Sequence, residues 1–347
     1  MKILLVSPLP PPEGGIATWT KKYMEFCRNR KIDVDIVNIA LTGKRLEQIN
    51  RNRNLFDEIK RTSNILKELK YKLKSYKPDI VHINSSCSRF GVFRDYLCVK
   101  KCIKAKVKVF VHCRCNIEDQ LGEGLPKKIF VKMICRVTGV MVLNNTSLNY
   151  VKAVSKTPVN LVPNFIDNAM LNDNYVVNQK FERLVFVGHV QKAKGVAEIF
   201  EAATKIPDKK IVLVGPIKEE IAALVCPSNV QMVGKKDMQE IKDYLDAADV
   251  FLFPTYTEGF SNALVEAMAR GLPAIATGVG ANEDMLEHKG GVIIPVGTAE
   301  AIVDAVKTLE PYSVRKEMSD WNRQKVKESY LIDSVMDKLF MIYRGEI

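Results

Sequence analysis

Glu258 and Glu266 stand in Pro254-Thr-Tyr-Thr-Glu-Gly-Phe-Ser-Asn-Ala-Leu-Val-Glu-Ala-Met-Ala269, which reads as a strand end, a turn at Gly259 and a helix from about Ser261. A continuous helix would set the two carboxylates roughly 80° apart around its axis, but Gly259 places Glu258 in the loop facing the first helical turn. Such a loop presents backbone N–H groups and the positive end of a helix dipole, with carboxylate acceptors beside them. Amides suit a diphosphate and carboxylates suit sugar hydroxyls, so together they fit a nucleotide-sugar. On the competing reading, Glu258 only stabilises a helix N-terminus and Glu266 is a solvated helix residue.

Other candidates also follow apolar runs. After the first run comes Pro10-Pro-Pro-Glu-Gly-Gly-Ile16, where Gly14 and Gly15 let backbone approach a phosphate ahead of a helix. A plain surface loop is the alternative. No G-x-G-x-x-G is present, which argues against a dehydrogenase. In Phe186-Val-Gly-His-Val-Gln-Lys-Ala-Lys-Gly-Val196, Lys194 and Gly195 fall at a strand-to-helix junction. There an ammonium can neutralise a diphosphate leaving group, or simply be solvated. Gly234-Lys-Lys-Asp237 follows another strand and could line a base site. His112 ends Val107-Lys-Val-Phe-Val-His and is expected to point into the strand-end crevice; a buried, satisfied imidazole is the alternative. Cys113 and Cys115 beside it lack a fourth metal ligand. No Asp-x-Asp pair follows an apolar run, so a metal-held diphosphate has no evident ligands.

These residues need a scaffold of strands ending at one edge. Runs at 2–6, 34–39, 79–84, 108–112 and 139–143, then 184–187, 211–214, 230–233, 250–253, 274–277 and 291–294, are nearly continuous in Val, Ile and Leu. Unbroken runs mean strands covered on both faces, hence parallel sheets with helices on each side. Ligands then collect beyond the C-terminal strand ends. Pro163 and Asn164 end a strand, and the polar 171–180 stretch reads as a hinge. The tail from Pro311 reads as two helices, with Trp321 and Tyr330 among their anchors.

The chain's 347 residues suit two domains. A hydrophobic share of 47% and a charged share of 27% are ordinary for a soluble globular protein, and no run reaches membrane-span length. The first residues are too short for a signal-peptide core, so no export is expected. Eight cysteines without paired spacing imply reduced thiols. Charge is uneven: residues 1–164 carry 31 Lys and Arg against 13 Asp and Glu, whereas 165–347 carry 21 against 27. Within 43–77, eleven basic residues accompany Leu55, Ile59, Leu66, Leu69 and Leu73 at helical spacing. A basic amphipathic helix suits an anionic membrane leaflet or a polyanion, or is a solvated outer helix. The basic half lacks an aromatic-interleaved motif, so nucleic acid is not expected as a partner.

The set of Glu258 and Glu266 in Pro-x-x-x-Glu-Gly-Phe-Ser, Gly271-Leu-Pro-Ala-Ile-Ala276, Val187-Gly188 with Lys194-Gly195, Asp246-Ala-Ala-Asp-Val250, Pro163-Asn-Phe-Ile-Asp167 and the first glycine pair resembles a known family. It is similar to the retaining glycosyltransferases of GT-B fold, family 4, across nearly the whole chain. The resemblance implies an α/β protein of two Rossmann-like domains with parallel sheets facing a central cleft. These would be a basic acceptor domain (1–164), a nucleotide-sugar domain (165–328) and a C-terminal helix (329–347) packing back on the first. It also implies that Glu266 binds ribose hydroxyls and Glu258 the donor sugar, while the amides of Gly259, Phe260 and Ser261 line sugar and diphosphate. Lys194 would neutralise the diphosphate, beside Gly188 and Gly195, and Gly15 would add a backbone contact. His112 would lie near the sugar's reacting face. His189 departs from the family's usual arginine: it is shorter and titrates near neutrality. Either another basic residue covers the diphosphate there, or donor affinity is lower and pH-sensitive.

The expected activity is a metal-independent, cofactor-free hexosyltransferase. It would move sugar from a UDP- or GDP-linked donor to a saccharide or lipid-linked acceptor in bacterial surface polysaccharide synthesis. It would be cytoplasmic, peripheral at the inner face of the membrane. The rivals are a GT-B sugar-nucleotide epimerase, a phosphorylase, and a degenerate, non-catalytic GT-B protein that binds nucleotide and an anionic surface.

Overall fold

The apolar runs become parallel strands buried on both faces, as in Ile80–Ser85, Val250–Phe253 and Ala274–Thr277, where every residue is buried. The computed structural model describes residues 1–12, 14–40 and 55–347. Glu13 of the first glycine loop, residues 43–54 of the expected basic helix and the side chain of Leu55 lie outside the described residues. The chain divides into two compact units, residues 1–162 with 341–347, and residues 163–340.

The first unit alternates β1 (Lys2–Ser7), α1 (Gly15–Asn29), β2 (Asp33–Asn38), α2 (Leu55–Ser75), β3 (Ile80–Ser85), α3 (Arg89–Lys104), β4 (Lys108–Cys113), α4 (Ile117–Leu121), α5 (Leu125–Ile134), β5 (Gly139–Val142), α6 (Asn145–Val154) and β6 (Val159–Leu161). Its sheet is ordered β2-β1-β3-β4-β5-β6, and Ile3 pairs with both Val34 and Ile80. Alternating strand and helix favour right-handed crossovers in such a sheet. Helices cover it with one face each: Ile65 and Leu69 of α2, Val92 and Val99 of α3, and Phe130 and Met133 of α5 join the strand side chains in one core. Ile59, one of the apolar residues at helical spacing along α2, is 58% exposed.

The second unit continues with β7 (Arg183–Val187), α7 (Val196–Lys205), β8 (Lys210–Val214), α8 (Glu219–Ala222), β9 (Val230–Gly234), α9 (Met238–Asp246), β10 (Val250–Phe253), α10 (Asn262–Ala269), β11 (Ala274–Thr277), α11 (Asn282–Leu286), β12 (Gly291–Ile294), α12 (Ala299–Thr308), α13 (Tyr312–Ser329) and α14 (Ile332–Arg344). Its sheet is ordered β12-β11-β10-β7-β8-β9. Asp249 accepts hydrogen bonds from the Glu182 and Arg183 amides at 2.9 and 2.8 Å, and Arg270 forks onto Asp246. The Asp-Ala-Ala-Asp motif therefore ties the start of β7 to α9 and α10. Tyr330, between the last two helices, is buried, whereas Trp321 is half-buried. The end of α14 belongs to the first unit, where the Tyr343 hydroxyl meets His82 Nδ1.

Candidate functional site

In the second sheet β7 lies between β10 and β8, so the strand order reverses at β7 and β10. Loops leaving two such strands in opposite directions open a crevice at their C-terminal ends. Gly188, His189 and the tight turn Lys192–Lys194 follow β7, and residues 254–261 follow β10. Gly195 has a left-handed φ of 73°, and a Cβ there would sit 2.1 Å from the Pro254 carbonyl oxygen. Only glycine lets the two loops approach so closely. Their approach brings Lys194 Nζ onto Glu258 Oε1, with 20% and 14% of the two side chains exposed. The Lys194 ammonium also lies 5.7 Å from the Phe253 ring centroid. Burial lifts the Glu258 carboxyl above its ordinary pKa, and Lys194 acts against that rise.

The Glu258 loop is held from below by a buried relay absent from the sequence expectations. The Ser261 hydroxyl donates to Asn282 Oδ1, Asn282 Nδ2 donates to the Thr277 carbonyl at 3.0 Å, and the Thr277 hydroxyl donates to the Thr255 carbonyl. All four residues are buried. Gly280, at φ 58°, closes the support: a Cβ there would lie 2.2 Å from the Glu258 carbonyl oxygen. With its hydroxyl committed to Asn282, Ser261 offers no side-chain cap to the first turn of α10. The Phe260 ring packs edge-on against Tyr330 at 5.8 Å, which leaves its backbone to the loop. Glu266 sits one turn into α10, half-buried. His189 is exposed and makes no hydrogen bond or ion pair among the described residues. In the Gly234 loop, Asp237 and Glu240 form a capping box for α9, and Lys236 pairs with Glu240 at 2.8 Å. Helix capping accounts for those residues without a bound base.

The first sheet reverses between β1 and β3. A cavity of about 310 Å³ opens there, lined by Gly14, Gly15, Asn84, Ser86, Arg61 and Arg94 among others. Gly14 caps α1 with backbone alone. A buried polar chain fixes that helix start. Asn84 Nδ2 donates to Ser7 Oγ at 2.9 Å, Ser7 Oγ pairs with Thr20 Oγ1 at 2.6 Å, and Thr20 returns to the Ile16 carbonyl at 2.8 Å.

His112, expected in the open crevice, is instead fully buried. Its Nε2 lies 3.1 Å from the Val162 carbonyl, Arg114 Nη1 lies 3.2 Å from its Nδ1, and its ring stands edge-on to Trp19 at 5.9 Å. Arg114 in turn stacks on Trp19 at 4.5 Å. Burial, then Arg114, then His82 hold His112 well below the usual imidazole range, and burial followed by Arg114 takes His82 down to about 3. Both rings are therefore neutral near pH 7. Trp19, His82 and Arg114 were not singled out in the sequence, because they come from separate elements and match no spaced motif. All eight cysteines are free, and among the described residues no group of three or more His, Cys, Asp or Glu is placed to hold a metal ion.

Comparison with known proteins agrees with this geometry. Residues 171–325, which include Lys194, Glu258 and Glu266, match the family described as glycosyl transferases group 1. Over 92% of both chains, the sequence is 26% identical to the capsular polysaccharide biosynthesis glycosyltransferase CapM of Staphylococcus aureus. In fold, it resembles the sucrose-phosphate synthase of Thermosynechococcus elongatus, with a TM-score of 0.78 at 17% identity over 99% of this chain and 98% of that one. It also resembles Anabaena HepE in complex with UDP-glucose, with a TM-score of 0.74 at 13% identity over 99% of this chain and all of that one. Two parallel sheets and these likenesses make the fold GT-B.

Proposed function

We propose that the chain is a retaining hexosyltransferase of the glycosyl transferases group 1 family, whose nucleotide-sugar donor docks at the reversal between β7 and β10. The observation that carries this reading is the Lys194–Glu258 pair beside the side-chain-free start of α10. Each of these charges satisfies the other. A donor would replace that pairing with two of its own: the diphosphate takes Lys194 and the first-turn amides of α10, and the sugar hydroxyls take Glu258. Glu266 would hold the ribose hydroxyls. As the bond from the anomeric carbon to the diphosphate oxygen breaks, negative charge grows on the leaving oxygen, where an ammonium and helix-start amides stabilise it. The residues supply that charge stabilisation themselves, in keeping with a metal-independent transfer.

The UDP and UDP-glucose complexes of HepE favour a uridine donor. The CapM likeness favours a saccharide or lipid-linked acceptor in bacterial polysaccharide assembly. His112 enters as a neutral imidazole that orders its surroundings through Val162 and Arg114. Lys192, exposed in the same turn as Lys194, supplies the cation that the family's usual arginine would. Lys194→Ala and Glu258→Ala should each cut transfer at least a hundredfold, the scale of losing one charge-stabilising group, with unchanged circular dichroism. Wild-type rates in both would remove the assignment.

A further inference from the structure

We infer that the groove between α2, α3 and the start of α5 docks the protein on an anionic phospholipid leaflet, hydrocarbon entering the groove and phosphates meeting its rim. This goes beyond the donor reading and is independent of it. The groove is a cavity of about 900 Å³, larger than the one at the strand ends of the same unit. Its floor holds Ile59, Leu66, Phe90, Phe93, Leu97 and Leu125, five of which are between 37% and 60% exposed. The helical spacing explains why. Ile59, Ser63, Leu66 and Lys70 share one face of α2, and Phe90, Phe93, Leu97 and Lys101 share one face of α3. Each helix spends a different face on the core, through Ile65 and Leu69 or Val92 and Val99. Two apolar stripes thus meet without a covering element among the described residues, and a contiguous exposed patch of this kind marks an interaction surface.

The rim decides the occupant. Lys67, Lys70, Arg89 and Lys101 line the groove, and none has an ion-pair partner among the described residues. The acid in the lining, Glu58, is held by Arg61 at 3.3 Å. Cations at the margin and hydrocarbon at the centre complement a lipid, whose phosphate and chain are similarly arranged. The +18 balance of residues 1–164 extends the same sign beyond the groove.

Co-sedimentation of the full chain with phosphatidylcholine vesicles, and with the same vesicles containing phosphatidylglycerol, tests the inference. Binding is expected only to the second kind and should weaken as salt shortens the screening length. A basic residue at an anionic surface contributes roughly fivefold in partition. Lys67→Glu with Lys70→Glu should therefore lose at least tenfold, and Phe90→Gln with Phe93→Gln should lose as much. UDP binding should be unchanged in both, which separates this surface from the donor site. Phe93→Trp should show fluorescence quenched by lipids brominated on the acyl chain. Equal binding to neutral vesicles, wild-type binding by both double variants, or a self-associated wild type that ignores vesicles and dissociates on Phe90→Gln with Phe93→Gln would overturn the inference.

Discussion

At the scale of single residues, burial sets the chemistry more than residue type does. Glu258 and His112 were both singled out as reactive groups, yet they end in opposite conditions. Glu258 keeps 14% of its side chain exposed and a cationic partner, so it remains a group a ligand can recruit. His112 is fully enclosed with its ring engaged by Val162 and Arg114, so its influence is on its surroundings. The enclosed histidines carry a pH consequence. His82 and His112 have folded pKa values below the unfolded value of about 6.5, so unfolding takes up protons as pH falls beneath that value. Stability is therefore full above about pH 6.5 and declines on acidification toward the folded values, about 3 for His82. Each histidine steepens the decline by up to about 1.4 kcal/mol per pH unit. Urea midpoints measured between pH 7 and 5 should fall, and should fall less steeply in His82→Gln. A flat wild-type profile over that range would show that the imidazoles are not held neutral.

At the scale of elements, the site consists of loops pinned by their neighbours. The β10–α10 loop owes its position to β11 and α11, through Thr277, Gly280 and Asn282. Gly280→Ala forces a Cβ into the Glu258 carbonyl at an unfavourable φ, and Asn282→Ala strands the Ser261 hydroxyl and the Thr277 carbonyl. Each should cost about 1–3 kcal/mol of stability and reduce transfer at least tenfold, although neither residue touches the donor in the proposed pose. Full activity with a lowered melting temperature would separate the scaffold from the site. The strands were legible in the sequence because both faces are buried and the apolar runs are unbroken, as in Val250–Phe253. The Gly259 turn and the start of α10 were legible because their signals are local. The Lys194–Glu258 pair was not, since it depends on β10 lying beside β7 with β8 and β9 on the far side. Nor was the exposure of Ile59, because helical spacing marks an apolar stripe without saying what covers it.

At the scale of the whole molecule, two sheets that each reverse strand order once carry unlike surroundings. The first offers backbone glycines, Arg61 and Arg94 at its cavity, and its outer helices carry an uncovered apolar groove with a basic rim. The second offers a paired carboxylate and ammonium beside a helix start. A free nucleotide should therefore act on residues 163–340 directly. At 100 times its dissociation constant a ligand adds about 2.7 kcal/mol to the native state, so UDP, GDP, ADP and CMP can be ranked by the rise in melting temperature. The winning nucleotide should slow amide exchange most at 192–196 and 258–264, where the two loops and the first turn of α10 converge. Its effect on exchange along α2 and α3 should be negligible, because that groove is a lipid surface in this reading and holds no part of the donor site. Protection in α2 and α3 without protection at 258–264 would move the donor out of the second sheet, and with it the roles of Lys194 and Glu258.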